Sequence, residues 1–189
     1  MSFYGLVDGS DASLRTYLNA LSGVDQIGAD ARASMLATRS IKTASKRWAI
    51  DMAISMVDLT TLEGADTPGK VQALCTKAVR PDPTDSTVPS VGAVCVYNDM
   101  VGVARKHLDL IGGSHVGVAA VSTAFPSGRA SMPVKIQDTE DALNAGASEI
   151  DMVIDRGAFL SGDYITVFNE IVQIRQLCGE RAHLKVIFE

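Results

Sequence analysis

Short apolar runs recur along this chain at near-regular intervals, starting near residues 54, 91, 116, 149 and 184, with helical patterns between them. That cadence marks repeated βα units. Runs such as Val116-Gly-Val-Ala-Ala-Val121 are apolar throughout rather than alternating, which calls for strands covered on both faces and hence a parallel sheet. Two architectures satisfy these demands, an open doubly wound sheet and a barrel. No Gly-x-Gly-x-x-Gly follows the first run and no P-loop pattern occurs, which lowers a dinucleotide- or triphosphate-binding reading.

Local signals place the elements. Residues 1–50 are helical in character. Ser10 or Asp11 caps a first helix carrying Leu14, Tyr17, Leu18 and Leu21, a second runs from about Gly28 to Thr38, and a third from about Thr43 to Met52. The basic residues Arg39, Lys42, Lys46 and Arg47 read as a solvated helix face. The first strand is expected over Ile54–Leu59, after which Thr67-Pro68 opens a helix. The second strand spans Val91–Tyr97, and Asn98 is expected to cap the helix behind it. Val116–Ser122 is the third strand, Pro133 opens the next helix, and Gly146–Asp155 holds the fourth strand. Asp163 caps a further helix, and His183–Glu189 is the fifth strand.

Composition narrows the function classes. A net charge of −5 offers no basic excess to neutralise phosphates, so a general nucleic-acid or anionic-membrane binder is not expected. Three cysteines, Cys75, Cys95 and Cys178, are odd in number and far apart, as in a reducing compartment. Met1–Gly5 has no signal-peptide character, and the longest apolar run is too short to span a bilayer. A soluble cytoplasmic protein is expected.

Alternate positions along the strands separate an aliphatic face from a polar one. Ile54, Met56, Asp58 and Thr60 share a face in the first strand, and Val91, Ala93, Cys95 and Tyr97 do so in the second. The fourth strand groups Glu149, Asp151, Val153 and Asp155 against Ile150, Met152 and Ile154. The fifth groups His183, Lys185, Ile187 and Glu189. In a barrel Asp58, Thr60, Cys95, Asp151 and Lys185 would converge on the lumen. A carboxylate and an ammonium sharing such an interior shift one another's pKa, as acid–base chemistry requires, although a purely structural ion pair has the same signature. Asp151 at a strand end, capping the next turn, is the other plain alternative. Cys95 reads more readily as a small buried residue than as a nucleophile, having no histidine near it in sequence. His107, His115 and His183 share no metal-ligand spacing with each other or with the cysteines, so no metal site is expected.

Five short stretches carry a resemblance. Asp58-Leu-Thr-Thr-Leu62, Val94-Cys-Val-Tyr97, Phe125-Pro-Ser-Gly128, Gly146-Ala-Ser-Glu-Ile-Asp-Met-Val153 and Leu184-Lys-Val-Ile-Phe-Glu189 resemble the 2-deoxyribose-5-phosphate aldolase family, in that family's order and over roughly residues 45–189. The resemblance implies an α/β fold of the (β/α)8 TIM-barrel type and a class I aldolase with no metal and no cofactor. Residues 1–50 would be an N-terminal helical extension and residues 51–189 an incomplete barrel domain of about five βα units. The implied reaction is the reversible cleavage of 2-deoxy-D-ribose 5-phosphate to D-glyceraldehyde 3-phosphate and acetaldehyde, a step of deoxyribonucleotide catabolism, through a lysine Schiff base. Asp151 then matches the proton-handling aspartate, while Lys185, Cys95 and Thr60 match site-lining positions and Asp58 a supporting one.

The family's Schiff-base lysine belongs to a Lys-Thr-Ser-Thr-Gly motif on strand six, and that motif is absent here. The sequence stops in strand five, so the nucleophile and the phosphate-gripping loops are expected outside it. Strands one and five should then be open edges with uncovered apolar faces, suited to a homo-oligomer or to a complementing C-terminal segment. The competing expectation is a truncated, non-catalytic relative acting as an interaction or regulatory module. A third possibility gives the nucleophile's role to Lys185 itself.

Overall fold

The computed structural model describes residues 9–188; the Met1–Gly5 terminus and Glu189, expected on the inward face of strand five, lie outside them. The chain forms two compact units, Met1–Ile50 and Asp51–Glu189. In the first, α1 (Asp11–Ala20) begins at Ser10, whose hydroxyl accepts from the Ser13 amide at 3.1 Å. Helix α2 (Gln26–Ala37) is capped by Asp25 in the same way. Helix α3 (Thr43–Ser55) runs three residues past its expected end.

That extension corrects the first strand, which is only β1 (Asp58–Thr60). Ile54 packs on the core from a helix, so neither it nor Met56 lies on the inward strand face. The physical reason is spacing: Ile50 and Ile54 stand four apart and extend a helical stripe, and a short apolar run does not distinguish the two periods.

The second unit alternates strand and helix. Helix α4 (Pro68–Val79) starts with proline in its first turn behind the Thr67 cap. Strand β2 (Ala93–Val96) and helix α5 (Val101–Leu110) follow, then β3 (Gly117–Ser122) and α6 (Met132–Asn144). Next come β4 (Glu149–Val153), the short α7 (Arg156–Leu160), α8 (Tyr164–Cys178) and β5 (His183–Ile187).

Three further expectations change. Val91 lies before β2 and joins the core beneath the helices rather than the inward face. Asn98 does not cap α5: the chain enters that helix through a 3-10 turn, and the freed amide donates to Asp138 at its carbonyl (2.6 Å) and at Oδ1 (2.9 Å). Asp155 leaves the inward face altogether. It caps α7, accepting from the Ala158 amide at 2.9 Å, so the capping alternative weighed for Asp151 belongs to its neighbour.

All five strands are parallel, in the order β1-β2-β3-β4-β5. Sequential order with crossovers of one hand puts every helix on the same face, which is the wall of a barrel rather than a doubly wound sheet. The core agrees. Val94, Val118 and Ile150 of the sheet pack in one cluster with Val71 of α4, Leu108 of α5 and Ile174 of α8. Residues of opposite parity, Cys95, Ala119 and Val121, form a second, inner cluster with Tyr97 and Phe125. Among the described residues β1 and β5 pair on one side only, and no helix is long and apolar enough to cross a membrane.

Candidate active site

The inner face brings together charges that lie far apart in sequence. Asp151 and Lys185 are direct neighbours in the β4–β5 register, and Thr60 lies beside Cys95 in the β1–β2 register. Lys185 also bonds Asp58, at the opposite edge of the sheet. A flat sheet would hold those edge strands roughly 19 Å apart, farther than the two side chains reach together, so the sheet is strongly curved. Small residues clear the path. Ala93 lies between Asp58 and Gly117 in the register, and a Cβ on Gly117 would stand 3.2 Å from Glu149 Oε1.

Lys185 is the hub. Its ammonium bonds Asp58 and lies 3.1 Å from Glu149 Oε2 and 3.2 Å from Asp151 Oδ1. The last is an ion-pair distance without hydrogen-bond geometry, leaving Oδ1 buried and otherwise unpartnered. Asp151 Oδ2 accepts from the Cys95 thiol at 3.7 Å. Three carboxylates therefore face one ammonium, and Asp151 is the most enclosed of the four, with 13% side-chain exposure against 25–36% for the others.

Enclosure sets the protonation states. Burial lifts Asp151 above the usual carboxylate range; Lys185 opposes the lift, and the charges of Asp58 and Glu149 add to it. Burial also works against the Lys185 ammonium, but the Asp58 hydrogen bond and the surrounding carboxylates outweigh it and hold the amine protonated above its ordinary range. Cys95 is pushed up to about 12, chiefly by burial and then by the Asp151 charge, so it is a neutral thiol near pH 7. The arrangement suits proton transfer at Asp151 beside a fixed positive charge.

Four of the five expected site residues, Asp58, Cys95, Asp151 and Lys185, meet in this cluster. Thr60 does not join the ion pairs; its hydroxyl turns to the Asp58 carbonyl at 2.9 Å. Glu149 does join them, although it was not singled out from the sequence. Its signal was present, since it alternates with Asp151 on one strand face. Among the described residues no three His, Cys, Asp or Glu side chains are placed to share a metal ion.

Comparison with known proteins supplies the family. Residues 52–189 match the DeoC/LacD family aldolase profile. The chain belongs to that aldolase family. The mouse deoxyribose-phosphate aldolase is 38% identical over 159 residues, covering 80% of this chain and 49% of the mouse protein. A Coccidioides immitis structure proposed to be a deoxyribose-phosphate aldolase superposes with a TM-score of 0.63 at 29% identity, over 72% of this chain and 49% of that one. The tetrameric deoxyribose phosphate aldolase of Aeropyrum pernix shares the fold, with a TM-score of 0.59 at 23% identity over 72% of this chain and 52% of that one. The chain thus spans about half the length of the curated relatives it matches.

Proposed function

We propose that this chain carries the acid–base half of a Schiff-base aldolase site that cleaves 2-deoxy-D-ribose 5-phosphate to D-glyceraldehyde 3-phosphate and acetaldehyde, and runs the reverse addition. The observation that carries this reading is the enclosed Asp151 carboxylate, with a raised pKa, beside a lysine held protonated. In the cleavage direction an amine condenses with the substrate aldehyde and releases water. The sugar hydroxyl two carbons away then gives up its proton as the carbon–carbon bond breaks, and the electron pair moves into the iminium to give an enamine. The enamine is protonated at carbon and hydrolysed, which frees acetaldehyde and regenerates the amine. Asp151, its pKa raised chiefly by burial, is suited to take and return these protons, directly or through water.

Lys185 is not the attacking amine in this proposal. A protonated nitrogen has no lone pair to offer, and three carboxylates keep it protonated. Its fixed charge instead keeps Asp151 from rising so far that it could no longer act as a base. The nucleophile is a lysine supplied from outside this sequence. Asp58 and Glu149 hold Lys185, while Cys95 and Thr60 line the wall. The partners proposed are a small phosphorylated sugar and acetaldehyde in a cytoplasmic setting, with no nucleic acid, membrane or cofactor. Homo-oligomerisation or a complementing C-terminal segment would complete the site.

Supplying the C-terminal half of the mouse relative, fused or in trans, should give cleavage of 2-deoxy-D-ribose 5-phosphate that Asp151→Asn in this chain lowers by about 100-fold or more. Cleavage that is indifferent to Asp151→Asn would overturn the assignment. No cleavage from a folded complex would instead favour the non-catalytic relative.

A further inference from the structure

Thr123 stands at the C-terminal end of β3 with φ at +62°, and Ala124 follows at +63°. A left-handed conformation is a true outlier for a β-branched residue, so the surrounding structure must impose it. The turn carries the backbone away from β4 just past the Ser122–Met152 pairing, where the ladder would otherwise continue. The fully buried Thr123 hydroxyl takes the ladder's place. It accepts from the Val153 amide at 2.9 Å and lies 2.7 Å from the Val153 carbonyl and 2.6 Å from that of Ser122. With one hydrogen to give, it donates to one of these carbonyls at a time.

Two further contacts hold the same loop to the same segment. A Cβ on Gly128 would stand 2.1 Å from the Ile154 carbonyl oxygen, so the loop lies directly on the end of β4. Arg156 donates to the Pro126 carbonyl at 3.0 Å. Between these contacts lies Phe125, which packs against the inner cluster of Cys95, Ala119 and Val121, its ring tilted on Tyr97 at 6.4 Å. Val153 follows Asp151 by two residues on the inward face. One buried hydroxyl thus joins the strand of the enclosed carboxylate to the loop that brings Phe125 onto the inner cluster.

We propose that Thr123 is a positioning residue of the site, its hydroxyl fixing Asp151 and Phe125 relative to one another; its importance for turnover rests on Asp151 being the proton-handling group proposed above. The test does not depend on aldol chemistry. In the chain of residues 1–189, Thr123→Val keeps the side-chain shape without the hydroxyl, Thr123→Gly removes it while relieving the backbone, and Thr123→Ser retains it. Two quantities are read: iodoacetamide alkylation of each cysteine at pH 9, and the pH titration of the Asp151 carboxyl by carbon NMR. Losing one net hydrogen bond at this junction should raise local opening about fivefold, and Cys95 alkylation with it, while Cys75 and Cys178 on the outer face keep their rates. Asp151 should move toward the ordinary carboxylate value as water reaches it, and Thr123→Ser should behave as the parent. Thr123→Gly gives the same readout if the valine variant does not fold. Unchanged Cys95 and Asp151, or all three cysteines accelerating together, would overturn the positioning role. Neither outcome bears on whether the completed protein is an aldolase.

Discussion

Replacing Lys185 with methionine removes the hub of the inner cluster while keeping most of its volume. Lys185 Nζ lies 3.2 Å from Asp151 Oδ1 and 3.1 Å from Glu149 Oε2. Unit charges at such a range interact by about 5 kcal/mol at an effective dielectric near 20. The lysine side chain is 32% exposed, so solvent screening leaves roughly 1–2 kcal/mol acting on Asp151. At about 1.4 kcal/mol per unit, the Asp151 pKa should rise by about one further unit in Lys185→Met, with Asp58 and Glu149 left to add their repulsion. The direction in stability follows. A carboxyl whose folded pKa exceeds its unfolded value costs stability as pH rises through the folded value, so the variant should lose more of its stability than the parent as pH rises above the ordinary carboxylate range. Carboxyl carbon NMR across a pH series measures the pKa, and thermal melts at matched pH measure the stability. An Asp151 pKa that stays put or falls in Lys185→Met would show that the ammonium does not restrain it, and the electrostatic account of the site would fail.

Other consequences follow from the same contacts. The Lys185 contribution, with a folded pKa above 10.5, is fully present below pH 10.5 and lost as pH rises through the folded value; alkaline melts should fall more steeply for the parent than for Lys185→Met. Cys95, at about 12, should resist alkylation near neutrality and accelerate with each unit of rising pH up to that value, as pH-resolved peptide mapping can follow. Gly128→Ala forces a Cβ into a left-handed position against the Ile154 carbonyl and should cost about 2–4 kcal/mol, measured by denaturant unfolding. Lys135 is fully buried between α6 and α8, 2.5 Å from Glu170, so Lys135→Met alone strands a buried carboxylate and should cost about 3–5 kcal/mol. Pairing it with Glu170→Leu should return most of that loss in a double-mutant cycle.

The sequence discloses this architecture unevenly, for physical reasons. Strands β2, β3 and β4 are legible because Val94-Cys-Val96 and Val118–Val121 are buried on both faces, Ile150, Met152 and Val153 are buried around a partly exposed Asp151, and turn signals bound all three. Strand β1 is not, because its three residues follow a helix whose apolar stripe runs into it. The choice between barrel and open sheet depends on strand order, which no local periodicity carries. In the site, Asp58, Cys95, Asp151 and Lys185 were recoverable from strand parity together with the resemblance. Glu149 shares that parity, but parity alone does not tell it from Val153 and Asp155 on the same face as a partner of Lys185. Thr123 was illegible in principle, since its value comes from a left-handed turn that only the surrounding structure imposes.

The proposed division of labour puts the attacking amine outside this sequence and leaves Lys185 as a fixed charge. Acetaldehyde and borohydride, followed by peptide mapping at neutral pH, separate that arrangement from its rival. This chain alone should show no reduced adduct at Lys185, and the complex completed with a C-terminal segment should carry its site-specific adduct on a lysine of that segment. An adduct at Lys185 in the chain alone would contradict the account.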